Sequence, residues 1–155
     1  MKILRRKLKD QRGFNLIELM IVIAIIALLI GVGIPAYKAM VNNGNETSAA
    51  QSINTIKTLQ IGYASKHHGN FAPTFDELIK STQLDERFAG DSPVINGYLF
   101  KLTVQPSSGT KPAFYAINAD PQEGSGKRHF YFDSTLATTK STEEERPAKA
   151  DDPTI

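Results

Sequence analysis

The longest pattern in the sequence is an uninterrupted apolar run. From Leu19 to Tyr37, 19 consecutive residues carry no charge. As an α-helix, a segment of that length would be about 28 Å long, close to the ~30 Å thickness of the hydrocarbon core of a bilayer. Glu18 comes directly before the run. The length and apolarity of the run predict a membrane-spanning helix. Because an unpaired carboxylate is costly in hydrocarbon, Glu18 is a candidate functional residue.

A short basic segment precedes the run. Residues 1–13 contain six basic residues and one acid, whereas the stretch after the run offers only Lys38 before Lys57. The positive-inside rule therefore keeps residues 1–13 in the cytoplasm and exports the rest. A secretory signal peptide would have a shorter apolar core with a small-x-small cleavage site after it. The weak small-x-small sequence at 31–33 lies inside the run and not after it. Ordinary signal-peptide cleavage is therefore disfavoured, and a plain signal anchor is the simple alternative.

Residues 12–35 combine a basic leader that ends in Gly13, then Phe14, then Glu18 four residues later, then an apolar helix that reaches Pro35. This combination resembles the N-terminus of a type IV pilin of the class with short leaders, and the family also carries a proline at the end of this segment. The resemblance implies that a prepilin peptidase cuts between Gly13 and Phe14. It also implies that the new amine of Phe14 is N-methylated.

Two departures from the family pattern lie near and within the apolar helix. Asn15 stands where threonine is commoner, and Ala27 stands where many members have glycine. Glycines stand instead at Gly31 and Gly33, just before Pro35. Because glycine and proline weaken a helix, we expect these three residues to mark the point where the helix kinks, melts or stretches. A simple kink at the membrane surface explains the same residues.

The spacing of Glu18 from the cleavage site gives it a physical role. Cleavage after Gly13 would leave a chain of 142 residues, 155 less the 13 of the leader, whose first residue is a cationic Phe14. Glu18 lies four residues further, on the same face of the helix. In a packed bundle, Glu18 of one copy can face the Phe14 amine of a neighbour. Since a buried unpaired charge is costly, this subunit-assembly pair would set register rather than add raw stability.

The hydrophobic spacing beyond the apolar run predicts an α+β head. Apolar positions three and four residues apart predict an amphipathic helix over 36–66, which is either hinged at the breaker cluster 42–45 or runs through it. A capping box formed by Thr74 and Glu77 predicts a short helix to about Thr82. From residue 98 the period changes to two, which predicts strands. The strands are 98–105, 113–119, 128–132 and, as a short fourth, 136–140.

These elements form an α+β fold. A long N-terminal α-helix, membrane-spanning in its first half and amphipathic in its second, would pack against a small antiparallel β-sheet of three to four strands, and the pilin resemblance implies the same fold. The last segment has five acids and one large apolar residue, too little apolar surface to order itself. The expected organisation is a cleaved leader at 1–13, a transmembrane and assembly helix at 14–37, a globular head at 38–140 and an acidic, disordered tail at 141–155.

Charge and composition narrow the function classes. The net charge is +2, but removing the leader takes 18 basic and 16 acidic residues to 12 and 15, a charge near −3. The basic character belongs to the leader, so no specific nucleic-acid partner is predicted. The chain has no Cys, so no disulfide can close a loop of the head. No cofactor, metal or catalytic site is predicted, because His67 and His68 lack carboxylate neighbours and 120–126 lacks the alternating oxygens of a calcium loop.

The resemblance implies a structural protein and not an enzyme. The expected function is that of a pilin of a type IV pilus, processed by a prepilin peptidase and polymerised through its N-terminal helix into an extracellular fibre. Its partners would be that peptidase, other copies of itself in a helical filament, and the pilus assembly machinery of the inner membrane, where it would reside before assembly.

Two alternatives stay open. A pseudopilin of a type II secretion system shares the pattern of residues 12–35. A membrane-anchored binding module that never polymerises is the second, and Glu18 argues against it because a monomeric anchor has no use for that carboxylate. Aromatic residues on the strands are explained by core packing, and electron transport along them is not required by their spacing.

Overall fold

The computed structural model describes residues 14–155, so the predicted leader lies outside the described part of the chain. The described residues contain two α-helices, a short 3-10 helix and five strands. The chain divides into two compact units, one up to Lys38 and one over Ala39–Ile155. In chain order the elements are α1 (Leu16–Lys66), α2 (Phe75–Ser81), the 3-10 helix (Glu86–Phe88), β1 (Val94–Ile95), β2 (Tyr98–Gln105), β3 (Phe114–Pro121), β4 (His129–Asp133) and β5 (Lys140–Thr142).

The first unit consists of the apolar part of α1. Every residue from Phe14 to Lys38 is exposed in the single chain. Among residues 14–155, α1 is the one helix whose length and composition suit a membrane span. The helix continues through Pro35, and the space around Gly31 and Gly33 is open. A loosening of the helix at this point stays a prediction.

The second unit is built on the later part of α1. The helix continues without interruption through residues 42–45, so of the two outcomes that the sequence allowed, it is the continuous helix that forms. One stripe of this segment faces the interior at spacings of three and four residues, as an amphipathic helix requires. The buried residues of the stripe are Glu46, Ala49, Ile53, Ile56, Gln60 and Tyr63.

The sheet is an antiparallel meander in the order β1-β2-β3-β4-β5, which confirms the predicted α+β class. Aromatic side chains from its inner face meet the helix stripe in a single core. Ile117 of β3 lies opposite Leu102 of β2 and Phe132 of β4, which places apolar residues side by side across three strands. The buried aromatics of the sheet are Tyr98, Phe100, Tyr115, Phe130 and Phe132.

The sheet has five strands where the sequence predicted three to four. The additional strand, β1, has two residues, too few to show any periodicity. It is joined to β2 by Asn96 and Gly97, whose φ angles of 49° and 76° fit a two-residue hairpin turn. The short fourth strand was predicted at 136–140. In the structure this strand is β5, which lies further along the chain at Lys140–Thr142.

The expectation of a disordered tail at 141–155 is wrong. Thr142 and Ala148 of this segment are buried, with 9% and 2% of their surface exposed. The amide Nδ2 of Asn118 donates a hydrogen bond to the carbonyl of Ala148 at 3.2 Å, and the N–H of Ser141 donates to the carbonyl of Pro153 at 2.8 Å. Composition predicted too little apolar burial, whereas the segment is ordered by polar contacts with the sheet.

Gln60 fastens the chain that leaves α1. Its amide is fully buried, with Oε1 accepting from the N–H of Ala72 at 2.8 Å and Nε2 donating to the carbonyl of Ala72 at 3.1 Å. Both backbone groups of a buried residue are therefore satisfied by one side chain. A buried backbone group without a partner is costly, so this bidentate contact fixes the loop before α2.

We expect a fragment that begins at Ala39 to fold by itself. The second unit contains the whole core, and Asn45 near its start still reaches the carbonyl of Ser125. Urea unfolding of this fragment followed by circular dichroism should show one cooperative transition, unchanged by a reductant because the chain has no Cys. A gradual, non-cooperative loss of signal would contradict the division into units.

The second prediction concerns Gln60. The substitution Gln60→Leu keeps the volume but leaves the two backbone groups of Ala72 without partners, so the free energy of unfolding should fall by about 2–4 kcal/mol. Gln51→Leu, on an exposed position of the same helix, is the matched control and should change it by less than about 0.5 kcal/mol. Equal effects of the two substitutions would show that the amide contact does not stabilise the loop.

Candidate functional site

The start of α1 is closed by a reciprocal pair of hydrogen bonds. Asn15 lies just before the helix, and its Oδ1 accepts from the N–H of Ile17 at 3.3 Å. In return, Oε2 of Glu18 accepts from the N–H of Asn15 at 3.1 Å. This arrangement is a capping box, with Asn15 as the N-cap and Glu18 as its partner three residues later. This role of Asn15 was not predicted, although the Asn-x-x-Glu spacing is its signal in the sequence.

The capping box fixes Glu18 in the first turn of the helix. There the carboxylate also lies at the positive end of the helix dipole, which favours its charge. Within residues 14–155, the hydrogen bond to Glu18 comes from Asn15 and engages Oε2 alone. Oε1 is therefore available to a second donor, and Glu18 is exposed to receive one.

Phe14 is the nearest source of such a donor. Its side chain is 87% exposed, and it lies four residues before Glu18. In the uncleaved chain its nitrogen is an uncharged amide, and it becomes a cation only if the bond to Gly13 is cut. Gly13 lies outside the described residues, so the predicted cleavage site has no structural account. The structure thus brings Glu18 to Asn15 and leaves its pairing with a Phe14 amine as a prediction.

The surface after Glu18 is apolar on all sides. Between Leu19 and Ile34 the large apolar side chains are all exposed, with Ile21 at 54%, Leu28 at 69% and Val32 at 68% of their surface. A helix that is hydrophobic around its whole circumference is stable only when it is surrounded by lipid or by other apolar helices. The segment can therefore lie in a bilayer or in a bundle of similar helices, and it has no stable state alone in water.

A second polar site lies in the head and was not predicted. Glu46 is buried on the inner face of α1, with 8% of its surface exposed. Its Oε1 accepts from the N–H of Lys127 at 3.0 Å, and its Oε2 is 3.1 Å from Nε of Arg128. Beside it, Nδ2 of Asn45 donates to the carbonyl of Ser125 at 3.0 Å. These contacts fasten the connection between β3 and β4 to the helix.

The same connection contacts the sheet through Tyr98. The hydroxyl of Tyr98 donates to the carbonyl of Arg128 at 2.9 Å, and burial raises the pKa of Tyr98. Gly126 lies so close to this hydroxyl that a Cβ there would collide with it.

The signal for Glu46 was present in the sequence, since it lies three residues before Ala49 on the helix stripe. Periodicity alone therefore places a carboxylate inside, where it needs a partner.

The two adjacent histidines follow the end of α1 and are exposed. The ring of His67 stacks on that of Tyr63, with centroids 3.7 Å apart, and its Nδ1 is 2.9 Å from the carbonyl of Tyr63. Over residues 14–155, groups of three or more His, Asp or Glu side chains suited to a metal ion do not occur. The contacts of His67 are those of a packed helix end.

Comparison with known proteins supports the interpretation of the helix. Residues 8–34 match the family described as "Prokaryotic N-terminal methylation motif". The chain is 44% identical over 59 residues to "Prepilin peptidase-dependent protein D" of Escherichia coli, which covers 38% of this chain and 40% of that protein. It is 43% identical over 51 residues to a "Fimbrial protein" of Pseudomonas aeruginosa, 33% of either chain. The chain thus spans less than half the length of these two relatives.

A third relative is matched over more of its length. The chain is 34% identical over 94 residues to "Type IV wide pilus major component PilA4" of Thermus thermophilus, which covers 59% of this chain and 72% of that protein. No solved structure shows a significant match to the chain. The match to the Thermus protein extends past the methylation motif, and the α+β fold with its long apolar N-terminal helix agrees with it. This chain therefore belongs to the type IV pilin family.

Proposed function

We propose that this chain is a structural subunit of a type IV pilus, processed by a prepilin peptidase and polymerised through its N-terminal helix into an extracellular fibre. One observation carries the proposal. The helix is apolar on every side from Leu19 to Ile34. It begins with the carboxylate of Glu18, of which Oε2 accepts a hydrogen bond and Oε1 is available to a second donor. Such a helix needs lipid or other helices around it, and a fibre core of identical helices provides them. The names of the Pseudomonas and Thermus relatives support a fibre subunit.

The route to the fibre follows from the leader. Before assembly the chain would lie in the inner membrane, with residues 1–13 in the cytoplasm and the head exported, as the basic leader predicts. The prepilin peptidase would cut between Gly13 and Phe14, and the new amine would be methylated. The name of the Escherichia relative supports dependence on this peptidase. Assembly machinery of the inner membrane would then move the subunit from lipid into the fibre, which becomes extracellular.

Glu18 would guide each subunit into register. In the capping box, Oε2 remains on Asn15 while Oε1 is available to the Phe14 amine of the next copy. A subunit placed one step too high or too low would bury both charges without partners, which costs several kcal/mol. The ion pair therefore acts mainly by making wrong positions unfavourable, and the surrounding Leu, Ile and Val side chains supply the attraction.

Gly31, Gly33 and Pro35 would give the helix a ductile point. The glycines have no neighbouring atoms within 4 Å of an added Cβ, so packing in the single chain does not require them. Their value would lie in the weak helix that they and Pro35 create. A helix that can loosen there would let a fibre stretch without separating its subunits.

A pseudopilin of a type II secretion system is the second candidate. It would use the same leader, helix and carboxylate. The name of the Escherichia relative mentions only dependence on prepilin peptidase, which fits a pseudopilin as well as a pilus subunit. The two functions differ in the product. A pilus subunit should be recovered in long filaments sheared from the cell surface and identified by mass spectrometry. Recovery only in the envelope, with loss of a secreted enzyme when the gene is deleted, would favour the pseudopilin.

The leader provides the third prediction. Mass spectrometry of the exported protein should show a chain of 142 residues, 155 less 13, that begins with a methylated Phe14. Gly13→Val should block cleavage and leave the precursor in the membrane, because the site requires a small residue, whereas Gly13→Ala is the milder control. A mature protein that retains residues 1–13, or one that begins beyond Ile34, would contradict the proposed processing.

The fourth prediction separates the charge of Glu18 from its role in the capping box. Glu18→Gln keeps an oxygen for the N–H of Asn15 but removes the charge, so the amine of a neighbour would be buried alone at about 3–5 kcal/mol. Membrane levels should be unchanged or higher, since a charge has left the hydrocarbon. Sheared surface filaments should be lost.

Asn15→Ala is the matched control for this experiment. It removes the bond to Ile17 and weakens the helix start, typically by about 1 kcal/mol, but leaves the carboxylate in place. Filaments should therefore still form, and leader removal is measured in every variant. Normal filaments made of Glu18→Gln alone would refute the pairing, and loss of filaments in Asn15→Ala but not Glu18→Gln would assign the role to the capping box.

A further inference from the structure

The last segment of the chain is ordered although its composition is acidic. Residues 143–155, here called the latch, include five acids, and Ile155 is their one large apolar residue. Repulsion among the acids and the small apolar surface should both keep such a segment solvated. It is nevertheless docked on the sheet, with Ala148 only 2% exposed. Some specific contact must therefore offset the cost of ordering it.

Arg146 provides that contact. Its Nη1 and Nη2 donate to the two carboxylate oxygens of Asp152 at 3.0 and 2.6 Å, and its Nε donates to Oε2 of Glu144 at 2.6 Å. Nη1 also donates to the carbonyl of Pro147 at 3.2 Å. Two parallel bonds between a guanidinium and a carboxylate are the strongest geometry for such a pair. One arginine thus binds two of the acids and closes a loop from 146 to 152.

Asp152 is held from a second side as well. Its Oδ2 accepts from the N–H of Lys149 at 2.7 Å, and its side chain is 10% exposed. The hydrogen bonds from Arg146 and then from Lys149 lower the pKa of Asp152 to about 2. Its carboxylate is therefore ionised at neutral and mildly acidic pH, and the pair with Arg146 persists there. It would be lost only as the pH falls from 3.8, the ordinary value, through about 2.

The closed loop positions the residues that follow it along β5. The N–H of Ser141 donates to the carbonyl of Pro153 at 2.8 Å, and the N–H of Ile155 donates to the carbonyl of Thr139 at 3.3 Å. Between them, Lys140 and Thr154 form an antiparallel bridge. Residues 153–155 thus lie where a sixth strand would lie and occupy hydrogen-bonding groups on the outer edge of β5.

We propose that the latch closes the β5 edge of the sheet and that the ion pair of Arg146 with Asp152 holds it closed. An open edge strand presents unpaired N–H and C=O groups to which a strand of another chain can add. On the opposite side of the sheet, β1 pairs with Tyr98 and Leu99 of β2 and covers no more of that strand, so the closure proposed here concerns the β5 edge. In the proposed fibre, heads are crowded together, so a closed β5 edge would keep them from pairing wrongly through it. The closure itself does not depend on that function.

The test uses the full chain, purified in detergent micelles, and hydrogen–deuterium exchange measured by mass spectrometry. In Arg146→Gln, peptides that cover 140–155 should exchange roughly tenfold faster or more, since the bonds lost are bonds to a charged group. Peptides from β3 should be unchanged. Arg87→Gln is the matched control, because Arg87 makes the same kind of contact with Asp85, at 2.9 Å, outside the latch. It should leave the exchange of 140–155 unaltered.

Asp152→Asn and the double variant test whether the two residues act as a pair. Asp152→Asn should also speed exchange of 140–155, and the double variant should be no faster than Arg146→Gln alone. Trypsin offers an independent readout. Lys149 is exposed, but its backbone N–H is bonded to Asp152, so cleavage after Lys149 should become faster when the loop opens. Unchanged exchange in Arg146→Gln, additive effects in the double variant, or equal acceleration in β3 would each overturn the proposal, the last by assigning Arg146 to global stability. None of these outcomes depends on whether filaments form.

Discussion

A helix that is apolar on every side constrains everything else in this chain. Between Leu19 and Ile34 it presents large hydrophobic side chains around its whole circumference, so it needs either lipid or other helices. The two environments are nearly equivalent in polarity, which is why a helix can leave one for the other at small cost. What would differ between the membrane and the proposed fibre is the start of the helix. Its charge would need a partner in the fibre but can stay near the interface in the membrane. Glu18 lies at that point.

We expect the head to fold without the apolar part of α1, and the chain has no Cys for a disulfide. Its core comes from one stripe of α1 and the inner face of a five-stranded sheet. Polar side chains then fix the connections. Gln60 holds the loop after α1, Glu46 holds the connection between β3 and β4, and Arg146 holds the latch. Each makes two or more polar contacts with its segment, so a few polar side chains help to order these segments.

Sequence reasoning succeeded where one physical signal dominates over many residues. The length of the apolar run predicted the first half of α1, and the spacing of Ala49, Ile53 and Ile56 predicted its second half. The alternation of apolar and polar residues predicted β2, β3 and β4. It failed where order depends on a few contacts between distant residues. Composition predicted a disordered tail because it carries no information about the ion pair of Arg146 with Asp152. The strand β1 has two residues, too few for a period to be detected. Glu46 lay on a predicted stripe, but its partners at 127 and 128 are set by the fold.

The capping box resolves an apparent conflict in the role proposed for Glu18. A carboxylate that must bind the amine of a neighbour in the fibre would be unpaired in the single chain, and it would then destabilise the precursor in the membrane. Here the N–H of Asn15 donates to one oxygen of the carboxylate, and the first turn of a helix is an electrostatically favourable position for an acidic side chain. The carboxylate is thus stabilised in the single chain without being saturated. Because Asn15 binds through its backbone N–H, that part of the contact does not depend on which side chain stands at position 15. Only the return bond to Ile17 uses the Asn side chain, and a threonine hydroxyl, the commoner group there in the family, is also a favourable N-cap acceptor.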